Sequence, residues 1–257
     1  MVAERVDAPP PLPGGVLFAR YAFPPNELGY CGPPDAARML DHGAGVGPEV
    51  DIAERARSFD GAFPYLRLIA DSAGVADPLD ARVVEAYWVG NKLLDRVPRP
   101  AFDSLVRASF ADQSGANWAC LDVADTNLPP SAHHSFHVFT IYPWVRLLPV
   151  GGQTALDVLQ RCRIRWGRVE RVAGDTVQVR SRPITWDGQC LAVGPARAET
   201  ARWSHEGRSL APQVAEGDWV SLHWDWVCDR LSGRQVRALR RYTRRQLDLT
   251  NRSLGTG

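Results

Sequence analysis

The hydrophobic pattern of this chain changes its period near residue 160, and that change decides the fold class. Before it, apolar residues recur at the spacing of amphipathic helices, and after it they alternate as in β-strands. We predict a mostly helical N-terminal domain over residues 16–155 and a small OB-like β-barrel with a C-terminal helix over 160–250. The sequence therefore predicts an α+β protein.

Local signals set several boundaries inside this outline. Asp80 is a natural N-cap for a helix that runs to Leu94 with one broad apolar stripe. The pair Pro24-Pro25 predicts the end of a helix that begins near Val16. Residues 135–150 fit a strand or a buried helix equally well, because short apolar runs are ambiguous. Residues 218–227 predict one long strand.

Composition excludes several function classes. The 257 residues carry a net charge of +1, so no bulk positive field exists to hold nucleic acid by its phosphates. No apolar run approaches the roughly 18 residues of a membrane span. Residues 1–15 are rich in proline and lack an apolar core, which predicts a flexible lead-in rather than a signal or an anchor. Five cysteines without a Cys-x-x-Cys pair favour a reducing cytoplasm over a disulfide framework.

Two short segments carry the most specific chemistry. Cys162 opens the run Cys-Arg-Ile-Arg-Trp-Gly-Arg-Val (162–169), and His223 closes the run Gly-Asp-Trp-Val-Ser-Leu-His (217–223). A thiolate and an imidazole together suit a soft transition metal. Strand periodicity places Asp225 on the face of His223, where it could orient the imidazole. The alternative is a buried, unreactive cysteine and a half-buried histidine with a backbone partner.

Three basic neighbours of the thiol bear on its protonation. Arg161, Arg163 and Arg165 alternate around Cys162 along the chain. Positive charges close to a thiol favour the thiolate. The sequence therefore predicts an electrostatically activated cysteine at this position.

These two segments resemble the HypC/HupF family of hydrogenase maturation chaperones. Members begin Met-Cys, continue through a short apolar stretch to a glycine, a basic residue and valine, and carry a later Gly-Asp-aromatic-Val-x-Val-His segment. Cys162-x-x-x-x-Gly167-Arg168-Val169 and Gly217–His223 are similar to these motifs and occur in the same order. In this chain the cysteine is internal, and Trp166 stands where the family usually has proline.

The resemblance implies a fold and a function. Family members are small barrels with a C-terminal helix, and they handle an iron bearing cyanide and carbon monoxide that reaches the large subunit of a nickel–iron hydrogenase. It implies that Cys162 is the thiolate ligand of this iron–cyanide–carbonyl unit and that His223 lies beside it. The implied partners are the large-subunit precursor and other maturation proteins. The N-terminal part resembles an uncharacterised actinobacterial family through its segments at 18–26 and 133–137.

Further candidate residues lie in the helical part. His133, His134 and His137 are spaced so that two of them could share a metal if the segment is helical. Cys31 lies in a Gly/Pro-rich turn that could present its thiol at the mouth of a site. Glu85 is an acid within an apolar helix, where burial would raise its pKa and suit it to proton transfer. Structural roles are the alternative for all five residues.

The sequence supports one leading function and two others. The first is an accessory protein, rather than an enzyme, that binds or relays the iron–cyanide–carbonyl unit or chaperones the large-subunit precursor. The second is an enzyme with a catalytic site of Glu85, His134 and His137 and perhaps Cys31. The third is a nucleic-acid-binding barrel of the OB type, against which the near-zero net charge argues. A run of arginines decorates one face of the C-terminal helix, which suits solvent contact or an acidic partner: 234, 237, 240, 241, 244 and 245.

Overall fold

A computed structural model describes residues 12–47, 49–113, 115–116, 118–122 and 129–255. The predicted α+β class is confirmed, since helices fill the N-terminal part, a five-stranded sheet follows and a long helix ends the described chain. Residues 1–11 of the predicted flexible lead-in lie outside the described residues.

Ten α-helices are present in the described part of the chain, together with a 3₁₀ helix over Lys92–Arg96 and a π-helical turn over His137–Ile141. The helices are α1 (Gly14–Glu27), α2 (Ala36–Gly43), α3 (Glu49–Arg57), α4 (Phe63–Ala73), α5 (Ala81–Trp88), α6 (Arg99–Phe110), α7 (Ala119–Asp122), α8 (His134–Phe136), α9 (Trp144–Cys162) and α10 (Gly233–Leu254). None of these helices is both long and apolar enough to cross a bilayer.

Two predicted helix ends are wrong. Helix α1 does not stop at Pro24-Pro25 but continues to Glu27. Residues 17–26 are all buried, and tertiary packing of this kind outweighs the roughly 3 kcal/mol that proline costs inside a helix. Helix α5 ends at Trp88 rather than at residue 94, because Gly90 adopts a positive φ of 98° that no α-helix contains.

Other local predictions are confirmed or decided. Asp80 caps α5, since its Oδ1 accepts the backbone N–H of Arg82 at 2.8 Å. The ambiguous residues 135–150 are helical, and they pass from α8 through the π-helical turn into α9. Helix α9 is kinked at Gly152, whose φ is 47°. His134, at the start of α8, and Cys162, at the end of α9, therefore lie close together in the fold.

The strands form a closed barrel and two separate hairpins. The strands are β1 (Arg165–Ala173), β2 (Thr176–Ser181), β3 (Ile184–Trp186), β4 (Leu191–Val193), β5 (Arg197–Arg202), β6 (Ser204–His205), β7 (Arg208–Ser209), β8 (Trp219–His223) and β9 (Trp226–Arg230). The barrel order is β1-β2-β5-β9-β8, and β8 pairs with β1 to close it. Strands β5 and β9 run parallel, and the other barrel pairs are antiparallel. This is the OB-like arrangement that the sequence predicts.

The long strand predicted over 218–227 is instead a tight hairpin of β8 and β9. Trp224 and Asp225 form its turn, and Trp224 adopts a positive φ of 50°. The alternation of apolar residues continues across this turn, so the pattern alone does not reveal the reversal. The hairpin places His223 at the end of β8, at the rim of the barrel.

A hydrophobic cluster spans the helical part and the barrel, beside a separate core inside the barrel. Phe23 of α1 packs against Trp226 of β9 with ring centroids 5.1 Å apart. The Tyr21 hydroxyl lies 2.9 Å from the Ser221 hydroxyl on β8. Buried residues from both parts therefore form one continuous cluster, and the site described next lies where the two parts meet.

Candidate metal centre

Three side chains that can bind a metal meet between the helical part and the barrel. The Cys162 sulfur and one ring nitrogen each from His134 and His223 lie within 4.8 Å of one another. All three residues are buried, and His223 is 0% exposed. The structure thus brings together the two residues of the family-like motifs and adds His134, a residue that the sequence analysis considered for metal binding within the 133–137 segment and for catalysis.

The backbone around Cys162 and His223 explains why their side chains lie close together. Cys162 is the last residue of α9, and β1 begins three residues later beside β8. The backbone N–H of Trp224 donates to the carbonyl of Arg161 at 2.7 Å, which ties the β8–β9 turn to the end of α9. Because His223 and Cys162 immediately adjoin these two tied residues, their side chains are held close together.

His223 is poised as a ligand. Its Nδ1 lies 2.7 Å from the Tyr21 carbonyl oxygen, which can only accept, so Nδ1 carries the proton. Burial holds the pKa of His223 well below its ordinary value, so the imidazole is neutral and Nε2 bears a lone pair. Within the described part of the chain, this buried Nε2 has no hydrogen-bond partner. Metal-binding histidines commonly have this arrangement, with one nitrogen bonded to a backbone carbonyl and the other free for the metal.

The predicted orienting role of Asp225 is wrong. Asp225 forms an ion pair with Arg161, and both side chains are 44% exposed on the outside of the fold. The reason is the hairpin turn at 224–225, which removes the strand alternation that would have placed Asp225 beside His223. The Tyr21 carbonyl orients the imidazole instead.

His134 is also neutral and anchored through one nitrogen. Its Nε2 donates to the Cys162 carbonyl oxygen at 2.9 Å. Its Nδ1 lies 3.3 Å from the Tyr87 hydroxyl, which donates its own proton to the Gly61 carbonyl at 2.7 Å. Burial lowers the pKa of His134 to about 4. A lone pair therefore remains on Nδ1 at neutral pH.

The Cys162 sulfur is a protonated thiol in the absence of a metal. Burial raises the pKa of Cys162 well above its ordinary value, and the nearby thiol of Cys31 raises it further. The predicted activation by neighbouring arginines is wrong, because each guanidinium is engaged elsewhere. Arg161 pairs with Asp225, Arg163 donates to Gln160 and Arg165 pairs with Glu199.

The cluster opens onto a cavity of about 160 Å³. Its walls are mainly aromatic, and the thiol of Cys31 lies in the wall, as the turn position predicts. Burial raises the pKa of Cys31 to about 12. Tyr30 stacks on Trp224 at a centroid distance of 4.6 Å and is 58% exposed. Tyr30 is therefore the exposed member of a stacked pair in the cavity wall. The lining residues that matter below are Tyr30, Cys31, Trp88, Trp144, His223 and Trp224.

The other histidines do not join the cluster. His137 lines the same cavity, but it contacts the rings of Tyr65, Phe110 and Tyr142. His133 lies outside the cavity and stacks on Tyr242 at 4.8 Å. The structure brings only His134 of the 133–137 segment into the cluster with Cys162 and His223. Since the segment runs through α8 into the π-helical turn, its histidines face different neighbours.

The contacts of Glu85 connect two helices. Its carboxylate accepts hydrogen bonds from Asn91, Arg234 and Gln235, which joins α5 to α10. Glu85 lines a groove on this outer surface and not the cavity that contains His134 and His137. The predicted catalytic set of Glu85 with these two histidines is therefore not assembled.

The donor set fits a transition metal. Tetrahedral donors at bond lengths of about 2.0–2.3 Å lie about 3.5 Å apart. The three donor atoms, within 4.8 Å of each other, need a movement of about an ångström to reach that spacing. One sulfur and two nitrogens favour iron, zinc, copper or cobalt over magnesium or calcium.

Comparison with known proteins places the chain in a family. A sequence model for a family of unknown function, DUF6390, matches residues 11–257, and the chain therefore belongs to this family. No curated protein and no solved structure matches the chain.

Proposed function

We propose that this protein is an accessory protein of nickel–iron hydrogenase maturation that binds the iron–cyanide–carbonyl unit at Cys162, His134 and His223. The observation that carries the proposal is the buried meeting of these three side chains, with an unpartnered nitrogen on His223. The HypC/HupF-like segments supply the identity of the cargo, and the donor set supports a soft metal.

The protonation of the site suits a protein that passes its cargo on. Neutral His223 would offer the lone pair of its unpartnered Nε2 without losing a proton, and neutral His134 keeps a lone pair on Nδ1, whereas Cys162 would have to release its proton to bind metal. Burial raises the pKa of this thiol, so the apparent metal affinity at neutral pH is lower than that of a ready thiolate. Reprotonation of Cys162 would therefore favour release of the metal to an acceptor.

The surroundings would protect the bound unit. The mainly aromatic walls would limit the access of water to the metal, and the stacked Tyr30–Trp224 pair is part of these walls. Cys31 lies in the cavity wall and offers a second thiol to an entering or leaving metal. We propose the cytoplasm as the site of action, because all five cysteines are free and a reducing compartment keeps them so.

The proposed partners are the hydrogenase large-subunit precursor and the other maturation proteins. An interaction with an acidic surface suits the exposed arginines of α10, such as Arg237 and Arg244. Neither nucleic acid nor a membrane is proposed as a partner, because the net charge is only +1 and the helices of the described chain are too short or too polar to span a bilayer.

Anaerobic purification tests the cargo. The chain is co-expressed with hydrogenase maturation proteins, and infrared spectra of the purified protein are searched for cyanide and carbonyl stretching bands. We expect these bands in the wild type and in Cys190→Ala, since Cys190 is exposed and lies outside the cavity. We expect them to vanish in Cys162→Ala and in His223→Ala. Bands that persist in Cys162→Ala, or their absence from the wild type, would contradict the proposal.

The enzyme alternative gains less support. The predicted catalytic set needs Glu85 beside His134 and His137, and the described residues that line the cavity with these histidines do not include Glu85. Glu85, the candidate acid, is held by three partners on the outer surface.

A further inference from the structure

Three buried polar atoms without a partner belong to residues around one cavity. They are Nε2 of His223 and the indole nitrogens of Trp88 and Trp224. Trp88 is 3% exposed and Trp224 is 4% exposed. Buried donors that lack an acceptor lose hydrogen bonds to water without replacement, so native proteins rarely leave them unpaired. Two such indoles beside one unpartnered imidazole therefore indicate a missing ligand.

Two other tryptophans of this chain have indole N–H groups that donate hydrogen bonds. Trp226 donates to Glu27 at 2.8 Å, and Trp203 donates to the Gly174 carbonyl at 2.8 Å. Among the described residues, the two buried indole nitrogens without a partner both belong to residues of this cavity wall.

The two indoles flank the cluster from different elements. Trp88, at the end of α5, has its ring centroid 4.6 Å from that of His134 and 5.7 Å from that of His223. Trp224 follows His223 directly and holds a positive φ of 50°, a conformation that is uncommon outside glycine. Its ring is fixed by Tyr30 and by the Arg161 guanidinium 5.7 Å from its centroid. The protein therefore accepts a strained backbone at a tryptophan in the cavity wall.

The charge of the cavity restricts the ligand. The described residues that line it include no lysine, arginine, aspartate or glutamate. A free anion would be costly to bury there without a countercharge. The positive charge of the metal compensates the charge of an anion that is bound to it. Neutral N–H groups can then donate hydrogen bonds to the outer atom of this anion.

We propose that Trp88 and Trp224 form a subsite that donates indole hydrogen bonds to a small anion bound to the metal. The ligand class is a compact anion that binds the metal through one atom and offers a lone pair on another, such as a pseudohalide. Binding is ligand exchange: the anion takes a coordination position from water, and no electron is transferred. This inference rests on the proposed metal site at Cys162, His134 and His223.

Cobalt and azide separate the subsite from the metal site. Cobalt(II) is titrated into the metal-free chain without oxygen, and its affinity is taken from the sulfur-to-cobalt absorption band. Azide is then titrated into the cobalt form, and its affinity is taken from the change in the visible spectrum. The variants are Trp88→Phe and Trp224→Phe, with Trp144→Phe as a control that removes a partly buried indole from the same cavity.

We expect cobalt affinity to stay within twofold of the wild type in all three variants. Azide affinity should fall about three- to tenfold in Trp88→Phe and in Trp224→Phe, the loss of one hydrogen bond each. It should be unchanged in Trp144→Phe. Unaltered azide affinity in both variants overturns the subsite alone, whereas a wild type that binds no cobalt overturns the metal site and the subsite together.

A second measurement needs no variant and so does not depend on how the variants fold. In ¹H–¹⁵N spectra of the cobalt-free, zinc-loaded wild type, azide should move two indole N–H resonances downfield as they gain an acceptor. Indole resonances that do not respond to saturating azide contradict the proposal.

Discussion

Mild acid should unfold this protein, because four histidines are buried in neutral form. Burial lowers the pKa of His133 to about 3, of His134 to about 4 and of His137 to about 3, and it lowers that of His223 well below the ordinary value of 6.5. In the unfolded chain these imidazoles bind protons near pH 6.5, whereas in the folded chain they do so only near or below pH 4. Between these values the unfolded state holds more protons, so stability falls as the pH falls.

The size of the effect follows from the same pKa values. One unit below the unfolded pKa, each neutral buried histidine costs the folded state about 1.4 kcal/mol, so four cost about 6 kcal/mol at pH 5.5. A domain has a total stability of about 5–15 kcal/mol. The free energy of unfolding should therefore fall by about this amount between pH 7.5 and 5.5, with a slope that approaches four protons.

Urea unfolding at a series of pH values measures this slope on the metal-free chain. His137→Phe should reduce the slope by about one proton, since it removes one titrating ring from an aromatic environment. Val138→Ala is the matched control: it removes buried apolar volume at the next position and should lower stability without altering the slope. A free energy of unfolding that stays constant or rises from pH 7.5 to 5.5 would show that these four histidines are not buried in neutral form.

Two substitutions test the framework around the site. Glu85→Ala removes the acceptor shared by Asn91, Arg234 and Gln235, so urea unfolding should show a loss of about 1–3 kcal/mol with unchanged cobalt affinity; a loss of cobalt affinity would return Glu85 to the site. Gly90→Ala combines a φ of 98° with a new Cβ about 2.2 Å from the Tyr242 ring and should cost about 2–4 kcal/mol in the same assay. Gly188→Ala has a similar φ of 100° but open space, and should cost less than Gly90→Ala; equal costs would exclude the clash as the cause.

The fold class could be predicted because the period of the apolar pattern is a local property. Asp80 as the cap of α5 follows from residues adjacent in sequence. The continuation of α1 through Pro24-Pro25 could not be predicted, because it depends on burial of the helix against distant segments. The β8–β9 turn could not be predicted either, since Trp224 is an unusual residue for a positive φ.

The site was only partly accessible from sequence. Cys162 and His223 stood out through their family-like motifs, but the motifs give no distance between them. His134 was one of three histidines in a short segment, and only the fold distinguishes the one that faces the cluster. Trp88 looked like one more apolar residue on the stripe of α5, and nothing local marked its unpaired indole.

X-ray absorption at the metal edge can show whether Cys162, His134 and His223 bind one metal together. Zinc serves as the probe, loaded at one equivalent without oxygen. If the three residues bind zinc together, the zinc should have one sulfur at about 2.3 Å and at least two imidazole nitrogens at about 2.0–2.1 Å. The sulfur contribution should be lost in Cys162→Ser. A shell of oxygen donors without sulfur, or a sulfur contribution that Cys162→Ser leaves intact, would contradict the binding of zinc by Cys162.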